Sequence, residues 1–117
     1  MQGSVAGQIP NAAWFRDQGI IGICADYRVK NRDGTTPLEC IKDAKSAVRY
    51  IRINATVLGI DPNKIIVAGG SAGGHIAACT QIEGGDELGE DLAISSKPNA
   101  LVLHNPVSMR RLWRFIV

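Results

Sequence analysis

The fold is decided by the stretch Ile65-Ile66-Val67-Ala68-Gly69-Gly70-Ser71-Ala72-Gly73-Gly74-His75. Its apolar start predicts a buried strand over residues 64–68, and the small residues that follow lead directly into a predicted helix over residues 72–82. Gly69 and Gly73 flank Ser71, where two chain segments crowd together and the serine takes a strained backbone conformation. The stretch therefore predicts a strand, a sharp turn and a helix, with the Ser71 hydroxyl held clear of the sheet.

This turn places Ser71 where a catalytic nucleophile is needed. A helix that begins at Ala72 directs its free N–H groups and positive dipole end toward whatever approaches Ser71, so we expect the Ala72 N–H in an oxyanion hole. Gly69, Gly70 and Gly73 would then form the nucleophile elbow. A glycine-rich turn between a strand and a helix can also hold a phosphate, so a nucleotide-binding loop and a plain tight turn stay open at this point.

Other segments predict an alternation of helices and strands. Residues 11–18 predict a short helix, and the continuously apolar residues 20–25 predict a strand buried on both faces. A polar loop is expected over residues 26–36, followed by a capping box in Thr36-Pro37-Leu38-Glu39 and a helix that continues until Gly59. Residues 101–104 predict a further strand. This order favours an α/β fold with a parallel sheet and right-handed crossovers.

Four segments together carry a resemblance to a known family: Ala25-Asp26-Tyr27-Arg28, Asp43-Ala44-Lys45-Ser46-Ala47-Val48-Arg49, Gly59-Ile60-Asp61-Pro62-Asn63-Lys64-Ile65, and the glycine-rich turn. With them, residues 5–107 resemble the alpha/beta-hydrolase superfamily, specifically its bacterial esterase and lipase branch related to carboxylesterases and acetyl-xylan esterases. The resemblance implies a partial alpha/beta-hydrolase core over residues 1–107, a fragment of a three-layer sandwich, with a tail over residues 108–117 that is unlike the family. It also implies serine-dependent hydrolysis of a small carboxylic ester through an acyl-enzyme, with no metal and no cofactor.

The same resemblance implies that catalytic parts are missing. In the family a strand and a His-Gly-Gly-Gly-type loop precede the first helix, and the triad acid and histidine follow later strands. The chain is therefore interpreted as a fragment truncated at both ends. His104 follows Ser71 and an acidic stretch, which makes it a candidate base, although a histidine at the end of an apolar strand is more often structural. His75 is expected to point along the helix rather than at the hydroxyl.

The resemblance also implies structural roles for Asp26, Arg28 and Asp43, which match positions that are structural in the family. An ion pair between Arg28 and Asp43 is expected to tie a loop to the long helix. Asp26 is likewise expected to be structural. The acidic stretch between the last two predicted elements fits no EF-hand spacing and is interpreted as a solvated loop; its carboxylates are Glu83, Asp86, Glu87, Glu90 and Asp91.

Length and composition restrict the class of protein. A chain of 117 residues is sufficient for one domain, and its 45% hydrophobic residues, 21% charged residues and net charge of +2 give no reason to expect a nucleic-acid partner. Met1 is followed by no basic start and apolar core, so no signal peptide is expected, and no apolar run approaches the roughly 20 residues of a membrane span. Cys24, Cys40 and Cys79 form no CxxC pair and are expected to be buried, reduced thiols, so we expect a cytoplasmic protein.

Two other interpretations of the function of this chain stay open. A dinucleotide-binding half-domain needs a glycine at position 71, where this chain has serine. A non-catalytic, self-associating fragment is the other alternative.

The strand that the resemblance implies to be missing predicts that the chain assembles with other copies. In the family sheet this strand lies between residues 20–25 and 64–68, so its absence leaves two unpaired edges that attract other strands. We therefore expect a homodimer or a larger homo-oligomer.

Overall fold

A computed structural model describes residues 5–107, and the predicted tail over residues 108–117 lies outside them. The elements in chain order are a short 3-10 helix Val5–Gln8, α1 Ile9–Asp17, α2 Lys30–Asp33, α3 Pro37–Ile53, α4 Ala55–Leu58, β1 Ile66–Gly70, α5 Ala72–Cys79 and β2 Ala100–His104. The predicted α/β fold is confirmed. None of the helices within the described range is long and apolar enough to cross a membrane.

The sheet consists of β1 and β2, which run parallel. Their register pairs Ile66 with Ala100 and Gly70 with His104. Helix α5 connects to β1 through the glycine turn and packs against both strands, and α3 packs against α5. Buried apolar residues from these elements form the core: Val48 on α3, Ile65 before β1, and Ile76 and Ala77 on α5. The strand, helix and strand around Ser71 therefore form the most tightly connected part of the fold.

Residues 20–25 do not form the predicted buried strand. Ile20, Ile21 and Ile23 are 51%, 54% and 48% exposed, and no strand is present over this segment. A strand requires a hydrogen-bonded neighbour, and within residues 5–107 this segment has none. It passes close to α1 instead, since a Cβ added to Gly22 would lie 2.7 Å from the Ala12 carbonyl oxygen. The prediction is wrong because an apolar composition indicates only that a strand would be buried, and no strand within residues 5–107 pairs with this segment.

The capping box at the start of α3 is confirmed, whereas the predicted helix ends differ. The Thr36 N–H donates to the Glu39 carboxylate at 2.8 Å. The long helix ends at Ile53, and α4 follows as one separate turn; at the junction both the backbone N–H and the side-chain amide of Asn54 donate to the Tyr50 carbonyl, at 3.0 and 2.8 Å. Gly59 then ends α4 with a φ of 69°.

Two further boundaries were mispredicted for local reasons. Residues 26–36 contain the short helix α2 within the predicted loop. Helix α5 ends at Cys79 rather than at residue 82, because the buried Thr80 hydroxyl donates to the Ala77 carbonyl at 2.7 Å.

The segment between α5 and β2 is held against α3 by three basic side chains. Lys45, Arg49 and Arg52 lie on one face of α3, since residues four and three apart share a helix face. Lys45 Nζ donates to the Ile82 carbonyl at 2.6 Å, Arg49 Nε to the Ile94 carbonyl at 2.9 Å, and Arg52 Nη2 to the Lys97 carbonyl at 2.7 Å. Much of this connection is therefore fixed by contacts with backbone carbonyls.

Carboxylates of the same segment complete the network. Arg49 donates to Asp86 and to Glu90, each at 2.7 Å, and its side chain is only 7% exposed. The hydrogen bond from Arg49 lowers the pKa of the Asp86 carboxyl. Glu87 binds Arg28 at 3.0 Å. The interpretation as a solvated loop is wrong for these three carboxylates, because the cations that pair with them come from a distant part of the chain.

The predicted ion pair between Arg28 and Asp43 is confirmed. Arg28 Nη2 lies 2.6 Å from Asp43 Oδ1, and the Arg28 backbone N–H donates to the same carboxylate at 2.7 Å. Partial burial raises the pKa of Asp43, but the side-chain and backbone bonds from Arg28 together outweigh it and lower that pKa. The contact ties residues 26–29 to α3, as expected.

Replacing Arg49 with Ala should lower the free energy of unfolding by about 3 kcal/mol. The change leaves Asp86 and Glu90 partly buried without their main partner, and an unpaired buried charge is strongly destabilising. Urea unfolding of the folded chain measures the difference. Arg32→Ala is the matched control, because the Arg32 side chain is 49% exposed and surface pairs contribute at most about 1 kcal/mol. Equal losses in the two variants would contradict the prediction.

The cysteines agree in part with the expectation of buried thiols. Cys40 and Cys79 are buried and Cys24 is half-buried, and all three are free. Burial raises the pKa of Cys40 and of Cys79, so both are protonated near neutral pH. Cys24 departs from the prediction because the segment around it is not a buried strand.

Candidate active site

Ser71 lies in the turn between β1 and α5, as the sequence predicts. Its backbone has φ 51° and ψ −116°, a region that residues with a Cβ rarely adopt, and the residue is exposed to solvent. Such backbone strain persists only where surrounding contacts hold it, and it is concentrated at functional positions. The turn therefore presents a hydroxyl on a strained and accessible backbone.

The glycines of the turn have different steric roles. A Cβ added to Gly69 would lie 2.4 Å from the Gly73 carbonyl carbon, so the strand and the helix approach too closely for any side chain at 69. A Cβ at Gly73 would have nothing within 4 Å, and one at Gly70 would meet only His104 at 3.8 Å. The requirement for a small residue is confirmed at Gly69 and is wrong at Gly73.

On the helix side, the glycine that leaves little room for a side chain is Gly74, which the sequence analysis does not identify. A Cβ there would lie 3.0 Å from the Gly69 carbonyl oxygen and 3.1 Å from the Pro106 Cβ. The Gly-x-Ser-x-Gly pattern points to Gly73, but only the backbone of that residue lies against the strand, and a Cβ there would face open space. The adjacent glycine of the Gly73-Gly74 pair was the available signal.

Backbone hydrogen bonds hold Ser71 on both sides. Its N–H donates to the His104 carbonyl at 2.9 Å, and its carbonyl accepts from the Val107 N–H at 3.1 Å and from the His75 N–H at 3.2 Å. The end of β2 and the first turn of α5 therefore converge on one residue. This arrangement fixes the direction in which the hydroxyl leaves the backbone.

The first turn of α5 supplies hydrogen-bond donors near Ser71. Ala72 is the first residue of this eight-residue helix, and the N–H groups of the first turn have no acceptor within the helix. They carry the positive end of the helix dipole, which stabilises negative charge close to the turn. The place of Ala72 fits an oxyanion donor, and that role stays a prediction.

The two histidines are placed differently relative to Ser71. His104 ends β2 opposite Gly70 and is exposed, so it lies next to the turn. His75 points toward Cys79, since its Nε2 lies 3.7 Å from the Cys79 Sγ. Within residues 5–107 neither ring forms a hydrogen bond with the Ser71 hydroxyl. The structure brings His104 close to the turn through its backbone, without an aligned nucleophile and base.

The acidic residues do not complete a triad in the described part of the chain. Asp86 and Glu90 are engaged by Arg49, and Glu87 by Arg28. Their carboxylates therefore have basic partners from other elements. Among residues 5–107, no group of three or more His, Cys, Asp or Glu side chains is arranged to hold a metal ion.

Comparisons with known proteins agree on one kind of relative. The model of the BD-FAE family matches residues 3–103. The isoprenylcysteine alpha-carbonyl methylesterase of Arabidopsis thaliana is 39% identical over 67 residues, covering 57% of this chain and 15% of that protein. The acetylxylan esterase of Xylanibacter ruminicola is 31% identical over 94 residues, covering 80% of this chain and 17% of that enzyme.

A solved structure gives the same result for the fold. Thermogutta terrifontis esterase 2, in a form phosphonylated by cyclosarin, superposes with a TM-score of 0.89 and 44% sequence identity. The match covers 92% of this chain and 41% of that one. The chain thus spans less than half of the esterase and less than a fifth of the two curated relatives.

Proposed function

This chain belongs to the BD-FAE family within the alpha/beta-hydrolase superfamily, and on that premise we propose that it serves the hydrolysis of small carboxylic esters through Ser71. The observation that carries the proposal is the strained Ser71 at the start of α5, in a chain 44% identical to an esterase. Since the chain spans only part of the length of its relatives, the activity is proposed for the region around Ser71 together with the residues that supply the remaining catalytic groups.

The proposed chemistry is acyl transfer in two steps. Ser71 Oγ attacks the ester carbonyl carbon while its proton passes to a base, and the Ala72 N–H stabilises the negative charge on the carbonyl oxygen. The C–O bond to the alcohol breaks, the alcohol leaves with a proton, and an acyl-serine remains. Water then attacks the acyl carbon, the acid departs and Ser71 regains its proton. His104 is the candidate base within this chain.

A fluorophosphonate probe tests the proposal directly. The probe phosphonylates a serine that behaves as a nucleophile, with loss of fluoride, and a related esterase is known in a phosphonylated form. We expect one adduct, located at Ser71 by peptide mass spectrometry. Absence of labelling together with stabilisation by NAD would favour the dinucleotide-binding alternative. Absence of both would favour the non-catalytic, self-associating fragment.

Turnover by the isolated chain should be slow. Without an aligned base, the remaining catalysis comes from binding and the oxyanion hole, which leaves a small part of a complete triad's rate. We expect kcat for p-nitrophenyl acetate below about 1 s⁻¹, the lower end of the usual enzyme range. A value well inside that range would show that a base acts on Ser71 in this chain, with His104→Ala as the variant that identifies it.

We also propose that residues 1–107 form the hydrolase core, apart from the tail over 108–117, and that this core self-associates as a homodimer or a larger homo-oligomer. Ile20, Ile21 and Ile23 are about half exposed, and Ile66 on β1 is 59% exposed. Exposed apolar residues beside an open sheet edge favour association with another chain. Sedimentation velocity should show a species above monomer mass at micromolar concentration. A compact monomer there would contradict the proposal.

A cytoplasmic location is proposed on the basis of the cysteines. Cys40 and Cys79 are buried free thiols within the core. Reduced cysteines of this kind are typical of proteins kept in a reducing compartment. Localisation of a tagged chain tests this proposal.

A further inference from the structure

The last residue of β2 and the residues just after it hold both backbone polar groups of Ser71. The His104 carbonyl accepts the Ser71 N–H at 2.9 Å, and the Val107 N–H donates to the Ser71 carbonyl at 3.1 Å. These two partners are only three residues apart along the chain. The chain must therefore turn sharply between them, so that a carbonyl and then an N–H face the same residue.

The turn is made at Asn105, whose φ is 42°. In the described part of the chain, Asn105 and Ser71 are the two residues other than glycine with a positive φ. Asn tolerates this left-handed region better than most residues with a Cβ, whereas β-branched residues are strongly disfavoured there. Two unusual backbone conformations thus lie in segments that are hydrogen-bonded to each other.

Packing next to Asn105 restricts the turn further. Pro106 lies against α5, since a Cβ on Gly74 would be 3.1 Å from its Cβ. The ring of Pro106 also fixes its own φ. Pro106 is thereby held against the helix that begins after Ser71, and the conformation of Asn105 decides whether the Val107 N–H reaches the Ser71 carbonyl.

We propose that Asn105 is a positioning residue that maintains the backbone conformation of Ser71 through its own left-handed conformation. The inference rests on the proposed function for its catalytic meaning, because Ser71 is the proposed nucleophile. Its structural content is independent of catalysis. Asn105 acts through the hydrogen bonds of His104 and Val107 and contributes no group to the reaction.

The test compares three variants of the whole chain by amide hydrogen exchange and by fluorophosphonate labelling. Asn105→Val disfavours the left-handed conformation, and Asn105→Gly allows it freely. Asn99→Val is the matched control at the opposite end of β2, where the Asn99 side chain accepts the Ile65 N–H at 3.0 Å. Thermal unfolding gives the stability of each variant, so that amide exchange and labelling rates are compared under conditions of equal stability.

We expect Asn105→Val to accelerate exchange of the Ser71 and Val107 amides at least about tenfold relative to Asn99→Val, as expected when the left-handed conformation is disfavoured. Labelling of Ser71 should slow in parallel, whereas Asn105→Gly should retain amide protection. Unchanged exchange in Asn105→Val, or equal loss in Asn105→Gly, would overturn the proposal. If the unaltered chain is not labelled at all, the proposed function fails, and amide exchange still decides the role of Asn105. Should Asn105→Val not fold, Asn105→Ala takes its place.

Discussion

Ser71→Ala should abolish covalent labelling of the chain by a fluorophosphonate and reduce hydrolysis of p-nitrophenyl acetate to the background rate. The substitution removes the oxygen that would carry the acyl group in the proposed mechanism. Because the alanine methyl group is smaller than the hydroxymethyl group, it fits the same space. Removal of a nucleophile in serine hydrolases reduces kcat by up to about 10⁶-fold, and only binding and oxyanion stabilisation then remain. In this chain we expect a smaller measured drop, because the starting rate is expected to be low.

Ser46→Ala is the matched control for this result. Ser46 lies half-buried within α3, far along the chain from the turn, and alanine is a good helix former there. The control should be labelled at Ser71 at an unchanged rate. If Ser71→Ala retained esterase activity, the nucleophile would lie elsewhere. Ala72 would then have no assigned role in the chemistry.

The turn around Ser71 could be predicted because its determinants are local. An apolar run, glycines and a serine at fixed spacing allow few backbone paths, and the structure places β1, Ser71 and α5 in that order. The capping box at Thr36 and Glu39 is local in the same sense. These features depend on neighbours within a few residues, so a sequence pattern is sufficient to identify them.

Features that depend on distant parts of the chain were predicted less well. Residues 20–25 have the composition of a strand, but a strand exists only when another strand pairs with it. The carboxylates of Asp86 and Glu90 look solvated in the sequence because Arg49 is roughly forty positions away. Arg28 and Asp43 were recognised as a pair only because the family resemblance linked their segments. Pairing across long separations is set by tertiary packing, which no periodicity encodes.

At Gly74 the sequence pattern is wrong by one residue about which glycine is confined. The Gly-x-Ser-x-Gly spacing indicates Gly73, yet a Cβ at Gly73 would face open space, whereas a Cβ at Gly74 would lie against Gly69 and Pro106. One residue is one hundred degrees of helix rotation. The exact rotation at the start of α5 follows from the conformation of Ser71 itself, which only the structure supplies.

Gly69→Ala should lower the free energy of unfolding by about 3 kcal/mol, whereas Gly73→Ala should leave it unchanged or raise it by up to about 1 kcal/mol. A methyl group at 69 would lie 2.4 Å from the Gly73 carbonyl carbon and 2.8 Å from the Gly74 nitrogen. Both obstacles are backbone atoms, so no side-chain rotation can relieve the overlap, and β1 must separate from α5. At 73 the same methyl group has open space and a better helix former replaces glycine.

The two variants form a matched pair, since each replaces a glycine of the same pattern by the same residue. Urea unfolding followed by circular dichroism gives both free energies, and the expected separation of about 3 kcal/mol is well above the error of extrapolation. Gly70→Ala is a second control, because its methyl group would meet only His104 at 3.8 Å. Equal destabilisation at 69 and 73 would mean that both glycines are confined, as the sequence pattern alone suggests. A loss at Gly69 without a loss at Gly73 would show that, of the two glycines flanking the proposed nucleophile in the sequence pattern, only Gly69 is confined by the approach of β1 and α5.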